Sequence, residues 1–386
     1  MNRTVDIIGV GWSGFRSITP DLSYKELTYE AAVRAYADAG VDPRNDVNGF
    51  VTAAEDYHEG TSIFDEYTPD QLGGALRPMH TITGDGLHAL AAAYMNIASG
   101  LMDVVVVEAH SKASNILTLP HVTAFAEDPT FERPLALNPV ALAGLEMQML
   151  VSAGRITPDQ CAAVVAKNKN NALANPDAAH GAAIGRLAVL ESETLASPLT
   201  RLMAAPHADG AIVFVLADSD TARRFKGKPV RVRGIGWAND TPALDSRDWM
   251  DARYARHSAK MAYRTAGIKH PRTEIDFAEV DDTFAHKELQ HLEALGLARE
   301  GEAGWWTSNG GTERAGEFPV NPSGGALGVG SLLDATGLAR ALEVVLQLRG
   351  DAGARQLANV KTGLAFVWRG LPTTSGAAVI LSSQNQ

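Results

Sequence analysis

The chain has 386 residues, 45% of them hydrophobic and 20% charged, which supplies apolar material for two or three core-bearing units and excludes a disordered chain. Its formal net charge of −11, with no run of Lys and Arg, excludes a nucleic-acid partner, because binding a phosphate backbone needs a basic face. The single cysteine, Cys161, excludes an internal disulfide and a Cys-x-x-Cys zinc site, and it fits a reducing, cytoplasmic compartment.

The opening VDIIGVGWSG, Val5 to Gly14, places Gly-x-Gly-x-x-Gly after an apolar strand. That pattern binds a dinucleotide only where its last glycine opens a helix. Here Phe15 to Pro20 follow, and no helical spacing begins before Tyr24, so the glycines read as a tight strand exit beneath Trp12. The first residues also lack the sustained apolar core of a signal peptide. AYADAGV, Ala35 to Val41, is a helix end lined with small residues and closed by Gly40 in left-handed conformation. A strand follows in VNGFVTA, and then a glycine turn, TGDG, opens the helix that runs from Thr83. The apolar region leading from that helix into the strand DVVVVEAHS is broken by Asn96, Ser99 and Asp103, so no membrane span is expected.

From Leu117 to Thr194 the pattern is helical and polar. Within it a helix starts at N-cap Thr157 with Pro158 at its first position and closes at Asn175-Pro176. This segment reads as an insertion lying over one face of the first half, whose last strand is GAIVFVLAD, Gly210 to Asp218.

The remainder repeats the beginning. VRGIGW, Val232 to Trp237, matches IIGVGW, Ile7 to Trp12, and AYRTAGI matches AYADAGV. The strand IDFAEVDD, the turn and helix DATGLARALEVVLQLRG and the strand VKTGLAFVW then follow in the same order. Strands alternating with helices read as parallel sheets covered by helices. The expected organisation is therefore residues 1–116 plus 195–226 as one α/β half, 117–194 as a helical loop-domain insertion, and 227–386 as the second half.

Four segments in order, ITPDQCAAVVAKNKNNALANP, VLESETLASPLTRLMAAPHADGA, EVDDTFAHKELQHLEALGL and FPVNPSGGALGVGSLLDATGLA, resemble the thiolase superfamily in its sterol carrier protein X and archaeal-type branch. The resemblance covers nearly the whole chain. It implies duplicated βαβαβαββ halves packed as a five-layered α-β-α-β-α core, a coenzyme A thioester as substrate moiety, no cofactor and no metal. It also implies a homodimer, or a heteromer with a thiolase-like protein.

The catalytic side chains of that family are replaced here. Its nucleophilic cysteine turn, Cys-Ala-Ser-Gly, aligns with TGDG, so Thr83 holds the cysteine position. Its His-Asp-Cys-Phe aligns with DDTF, placing Asp281 in the histidine position, and its Gly-His-Pro aligns with GSL, placing Ser331 there. The C-terminal loop VWRGLPTTSGAA carries neither cysteine nor histidine, and Cys161 falls within the insertion helix.

What the resemblance leaves is a glycine frame in which Gly84, Gly86, Gly324, Gly325 and Gly376 bring backbone N–H groups close to a thioester. The reading is a carbon-carbon lyase, similar to thiolase-fold retro-aldolases of steroid side-chain degradation, which work with a small partner bearing an OB fold and zinc ribbon. A retro-aldol step needs a base and enolate donors and no nucleophile. Asp281, Asp282 and His286 are the candidate bases, with Ser331 and Thr83 as donors. Asp282 has a local capping role as its alternative, and His286 a solvated one. His286 and His291, five apart, face different ways and make no metal pair. Asp85 reads as a charge favoured by the helix dipole. The competing function is a catalytically silent subunit paired with an active thiolase, and a smaller option is an acyltransferase using Thr83 or Ser331.

Overall fold

The computed structural model describes residues 3–59, 63–370 and 373–383. The first half contributes β1 (Val5–Arg16), α1 (Tyr24–Ala39), β2 (Gly49–Ala53), β3 (Met79–Ile82), α2 (Gly86–Ala98) and β4 (Val104–Lys112). The insertion then supplies α3 (Pro139–Ser152) and α4 (Pro158–Ala172) before β5 (Asp209–Asp218) returns to the first sheet. The second half contains β6 (Val230–Asn239), α5 (Arg253–Ala266), β7 (Phe277–Glu279), α6 (Ala285–Ala294), α7 (Gly325–Val329), α8 (Thr336–Arg349), β8 (Thr362–Trp368) and β9 (Ser375–Ser383).

The strands run in the order β3-β2-β4-β5-β1-β6-β9-β8-β7. Pairing is parallel among β2, β3 and β4 and between β7 and β8, while β5, β1, β6 and β9 pair antiparallel. The expected parallel sheets are thus mixed. The strands that close each half, β5 and β9, come back antiparallel to their neighbours, beside β1 and β6, the strands at which the halves meet. The two halves join through a short contact, with Val5, Asp6 and Ile7 opposite Val232, Arg231 and Val230.

Five layers result. α1 covers β1 and β5 on one outside, and α5 covers β6 and β9 on the other. Between the sheets lie α2, packed on β4 and β2, and α8, packed on β8 and β9, with the two helices touching. Ile7, Leu87, Leu90, Phe214, Leu338 and Val379 belong to this central buried cluster, which mixes both halves.

The repeated Gly-x-Gly has a packing cause. A Cβ on Gly9 would lie 2.5 Å from the carbonyl oxygen of Ala35, and one on Gly11 would lie 2.2 Å from that of Ala31. In the second half Gly234 and Gly236 repeat the contact, at 2.1 Å from Ala262 O and 2.2 Å from Ser258 O. Small residues four apart, Ala31-Ala35-Ala39 and Ser258-Ala262-Ala266, form the opposing helix stripes. The glycines therefore seat a helix directly on a strand. They do not end it, since β1 runs on to Arg16 and β6 to Asn239. Both helices close on left-handed glycines, Gly40 at φ 72° and Gly267 at φ 74°, as the sequence predicts.

The insertion docks differently from expectation. α4 starts at Thr157 in a capping box with Gln160, but it packs against α6 and α7 of the second half. Buried charge fixes the contact: Lys167 Nζ meets Glu288 at 2.6 Å, and Lys287 Nζ meets Glu146 of α3 at 3.0 Å. Leu142, Met147, Val164 and Val165 share one apolar cluster with Leu289, Leu292 and Phe366. The helical pattern showed which face of α4 was apolar and could not show which half supplied the opposing face. No helix among the described residues is long and apolar enough to cross a membrane.

Gly11→Ala and Gly236→Ala are each expected to destabilise the fold by about 1–3 kcal/mol through forced overpacking. A urea midpoint equal to that of the parent protein would remove this account of the repeated motif.

Candidate active site

A cavity of about 160 Å³ opens where the carboxyl end of β2, the N-termini of α2 and α8, and the insertion's short helix Leu119–Thr123 meet. The carboxyl ends of strands are where α/β sheets present ligands. Beyond β2 the short helix Asp56–Glu59 brings Tyr57 and His58 to the wall, and the 3-10 turn Leu333–Ala335 ahead of α8 brings Asp334. Leu333 is held at φ +45°, a strained conformation for a branched side chain and one that clusters at functional sites.

His58 Nδ1 and Asp334 Oδ1 lie 2.9 Å apart, and Asp334 Oδ2 accepts the backbone N–H of Glu55 at 2.8 Å. Asp334 therefore fixes the imidazole while being fixed itself, the arrangement that orients a general base. Behind it the Arg369 guanidinium pairs with the Glu55 carboxylate, which burial nonetheless pushes above its usual range. His207 also lines the cavity, and burial, then the nearby His58 and His180, hold it down to about 4, so it is neutral at pH 7. The Ser331 backbone is clamped by Ser331 N to Pro206 O at 2.7 Å and Ala208 N to Ser331 O at 2.9 Å. The hydroxyls of Ser331 and Tyr57 face the same cavity, and neither is hydrogen-bonded to another described residue.

Asp85 is the remaining acid of the wall. It is the N-cap of α2, accepting Leu87 N at 2.8 Å, and its other oxygen accepts Gly337 N of α8 at 2.9 Å. Burial drives its carboxyl well above the ordinary range, opposed by those two N–H groups. The dipole reading of Asp85 is thereby extended to two helices. The donors that a backbone oxyanion hole would offer at this turn already carry a carboxylate.

Of the candidate bases, donors and glycines named from sequence, Ser331 lines the cavity and the others do not, while Asp85, read there as a dipole charge, lines it as well. Thr83 is exposed at the end of β3, because the turn directs Asp85 inward. Asp281 is buried beneath the wall, accepting Thr283 N at 3.1 Å, and burial raises its pKa against the pull of Arg340. Asp282 is consumed by structure: it takes Ala326 N at 2.6 Å, Asn168 Nδ2 at 2.7 Å and the Arg340 guanidinium at 2.6 Å. His286 is fully buried, which overturns its solvated reading. Its Nε2 meets Glu146 at 2.9 Å, and burial lowers its pKa. His291 does face elsewhere, toward the Tyr254 hydroxyl at 2.9 Å.

The glycines divide similarly. Gly376 is inside β9, opposite Trp368 on one side and Ala238 on the other, so it belongs to the sheet and offers no loop donor. Gly86 is a packing residue, with a Cβ there falling 2.6 Å from Leu338. Gly325, at φ +63°, lets α7 start against Asp282, whose oxygen would be 2.0 Å from an added Cβ. Gly324 lies similarly against Ala172, and Gly84 is buried at φ +153° without lining the cavity. Cys161 lies inside α4, fully buried, and burial pushes its thiol up. No group of three or more His, Cys, Asp or Glu among the described residues is placed to hold a metal ion.

Sequence reasoning missed His58, Asp334 and Tyr57. The one signal available was position: AEDYHEG directly follows a strand whose carboxyl end faces the cleft.

Residues 236–383 match the family described as Thiolase C-terminal domain-like. An acetyl-CoA acetyltransferase of Methanothermobacter thermautotrophicus is 32% identical over 390 residues, covering 98% of each chain. Sterol carrier protein 2 of Gallus gallus is 28% identical over 385 residues, 94% of this chain and 69% of its own. Among solved structures, the Ltp2-ChsH2(DUF35) aldolase superposes with a TM-score of 0.84 at 22% identity, covering 99% of this chain and 98% of that one.

Asp282→Asn should destabilise the protein by about 1–3 kcal/mol, since it removes one of the two carboxylates paired with buried Arg340, leaving Glu279, and weakens the acceptor of the Ala326 N–H. Denaturant unfolding tests this, and a loss below about 1 kcal/mol would return Asp282 to the list of groups free for chemistry.

Proposed function

The chain belongs to the thiolase superfamily, in its sterol carrier protein and archaeal-type branch, and we propose that it is a carbon-carbon lyase cleaving a β-hydroxyacyl-CoA by a retro-aldol step. One observation carries the reading: the cavity pairs an oriented imidazole, His58 on Asp334, with two unengaged hydroxyls, while the chain's one cysteine is buried elsewhere. Two of the curated relatives are named acetyl-CoA acetyltransferases, and that chemistry in this superfamily runs through a cysteine for which the cavity has no counterpart.

The step balances without a further reactant. His58 takes the proton of the β-hydroxyl, and the Cα–Cβ bond breaks as the β-carbon becomes a carbonyl. Its electron pair passes into the thioester as an enolate, and the imidazolium returns the proton to Cα. Ser331 and Tyr57 donate to the enolate oxygen, replacing the backbone donors that Asp85 occupies. Burial raises the Tyr57 pKa, so its hydroxyl remains a donor. The aldolase with a DUF35 partner supports a small OB-fold and zinc-ribbon polypeptide as companion subunit.

Asp85 favours a second reading. A carboxylate capping both helix N-termini at the ancestral nucleophile turn is what a catalytically silent subunit, paired with an active thiolase, would also show.

The readings separate on turnover of β-hydroxyacyl-CoAs, with and without the companion polypeptide, followed as free carbonyl product and shortened CoA ester. The lyase reading expects cleavage that His58→Gln lowers by about 10²–10⁴-fold in kcat, with Asp334→Asn also impaired and the fold intact by circular dichroism. Binding of the CoA ester with no cleavage under either condition would leave the silent subunit standing.

A further inference from the structure

The cavity is lined by residues of two chemical kinds. His58, Asp334, Asp85, Ser331 and Tyr57 form one, whereas the other is built from Leu119, Pro120, Val140, Phe284 and Leu333 with the small side chains of Ala204 and Ala205. The charged groups of the lining are already paired: Asp334 holds His58, and the Arg369 guanidinium, which also lines the cavity, is engaged by Glu55. A carboxylate brought in on the acyl group would have to compete with Glu55 for Arg369 and would stand beside Asp334. The apolar lining residues offer an acyl group surface to cover and little to hydrogen-bond.

Size is bounded as well. An apolar cavity of about 150 Å³ accepts benzene, and this one measures about 160 Å³. Its small-residue wall is held in place, because Ala205 N donates to Thr283 O at 2.8 Å and Ala204 bridges to Phe284. A larger side chain there takes space from the cavity and cannot be absorbed by a loop shift.

We propose that the substituent on the β-carbon is an uncharged apolar group about the size of one aromatic ring, seated between Leu119, Val140, Phe284 and Leu333, with Ala204 and Ala205 setting its length. The polycyclic acyl groups of steroid breakdown exceed this volume. The inference rests on the thioester site described under the proposed function.

Binding tests it independently of turnover. Calorimetry on the full chain should find 3-phenylpropanoyl-CoA bound about tenfold or more tighter than adipoyl-CoA, the span that one pocket-sized contact carries. Ala205→Leu should lower the ratio of phenylpropanoyl-CoA to butanoyl-CoA affinity by about tenfold. Equal or tighter binding of adipoyl-CoA would overturn the proposal even if Ala205→Leu failed to fold, and so would an unchanged ratio in a folded variant. If 3-hydroxy-3-phenylpropanoyl-CoA and 3-hydroxyadipoyl-CoA both go uncleaved while this binding order holds, the lyase reading falls and the pocket assignment stands.

Discussion

The structure depends on one carboxylate. Asp85 sits where α2 of the first half and α8 of the second start side by side between the sheets, and it bonds a backbone N–H of each. Two helices starting together bring two sets of unmet N–H donors and two positive dipole ends into one buried place. A single short acid answers both, and it ties the halves at their centre where the sheets themselves share only a three-residue contact between β1 and β6. Aspartate has the reach for this; alanine or serine at the same position would leave at least one helix start without its side-chain acceptor.

That solution constrains the chemistry beside it. The converging dipoles are the natural seat for an oxyanion, and Asp85 has taken it, so new negative charge in the cavity needs donors from side chains. Ser331 and Tyr57 line the same cavity as His58, and Tyr57 is carried with it on the short helix after β2. His58 is positioned from outside the superfamily's motifs, by an Asp334 that belongs to the approach to α8.

Much of the fold was legible because it repeats. The paired Gly-x-Gly-Trp strands, the helix ends Gly40 and Gly267 and the two central helices stand in the same order twice, and each copy checks the other. The insertion helix was legible at its start through Thr157 and Pro158, but its partner was not, since an apolar face names no neighbour. The site was hardest to read. His58 and Asp334 are 276 positions apart, and their pairing exists only because β2 and α8 deliver them to one point. Conversely Asp281, Asp282 and His286 looked chemical because they sit at motif positions, and burial turned two of them into structural partners of Arg340 and Glu146.

Those buried acids explain how the protein can change its catalytic groups and keep its shape. Asp282 holds the start of α7 and the Arg340 charge, and Glu288 holds Lys167, Asn168 and Asn321, so the insertion, α6 and α7 are locked by groups that never reach the cavity. The cavity wall makes few demands of this kind. Ser331 is fixed through its backbone and leaves its hydroxyl unengaged, and Tyr57 is carried by a four-residue helix rather than by the core. Substitution of Ser331 or Tyr57 therefore costs little folding energy, while substitution one layer deeper breaks paired charge. A scaffold with that division can exchange the hydroxyls of its cavity and still fold around the same central acid.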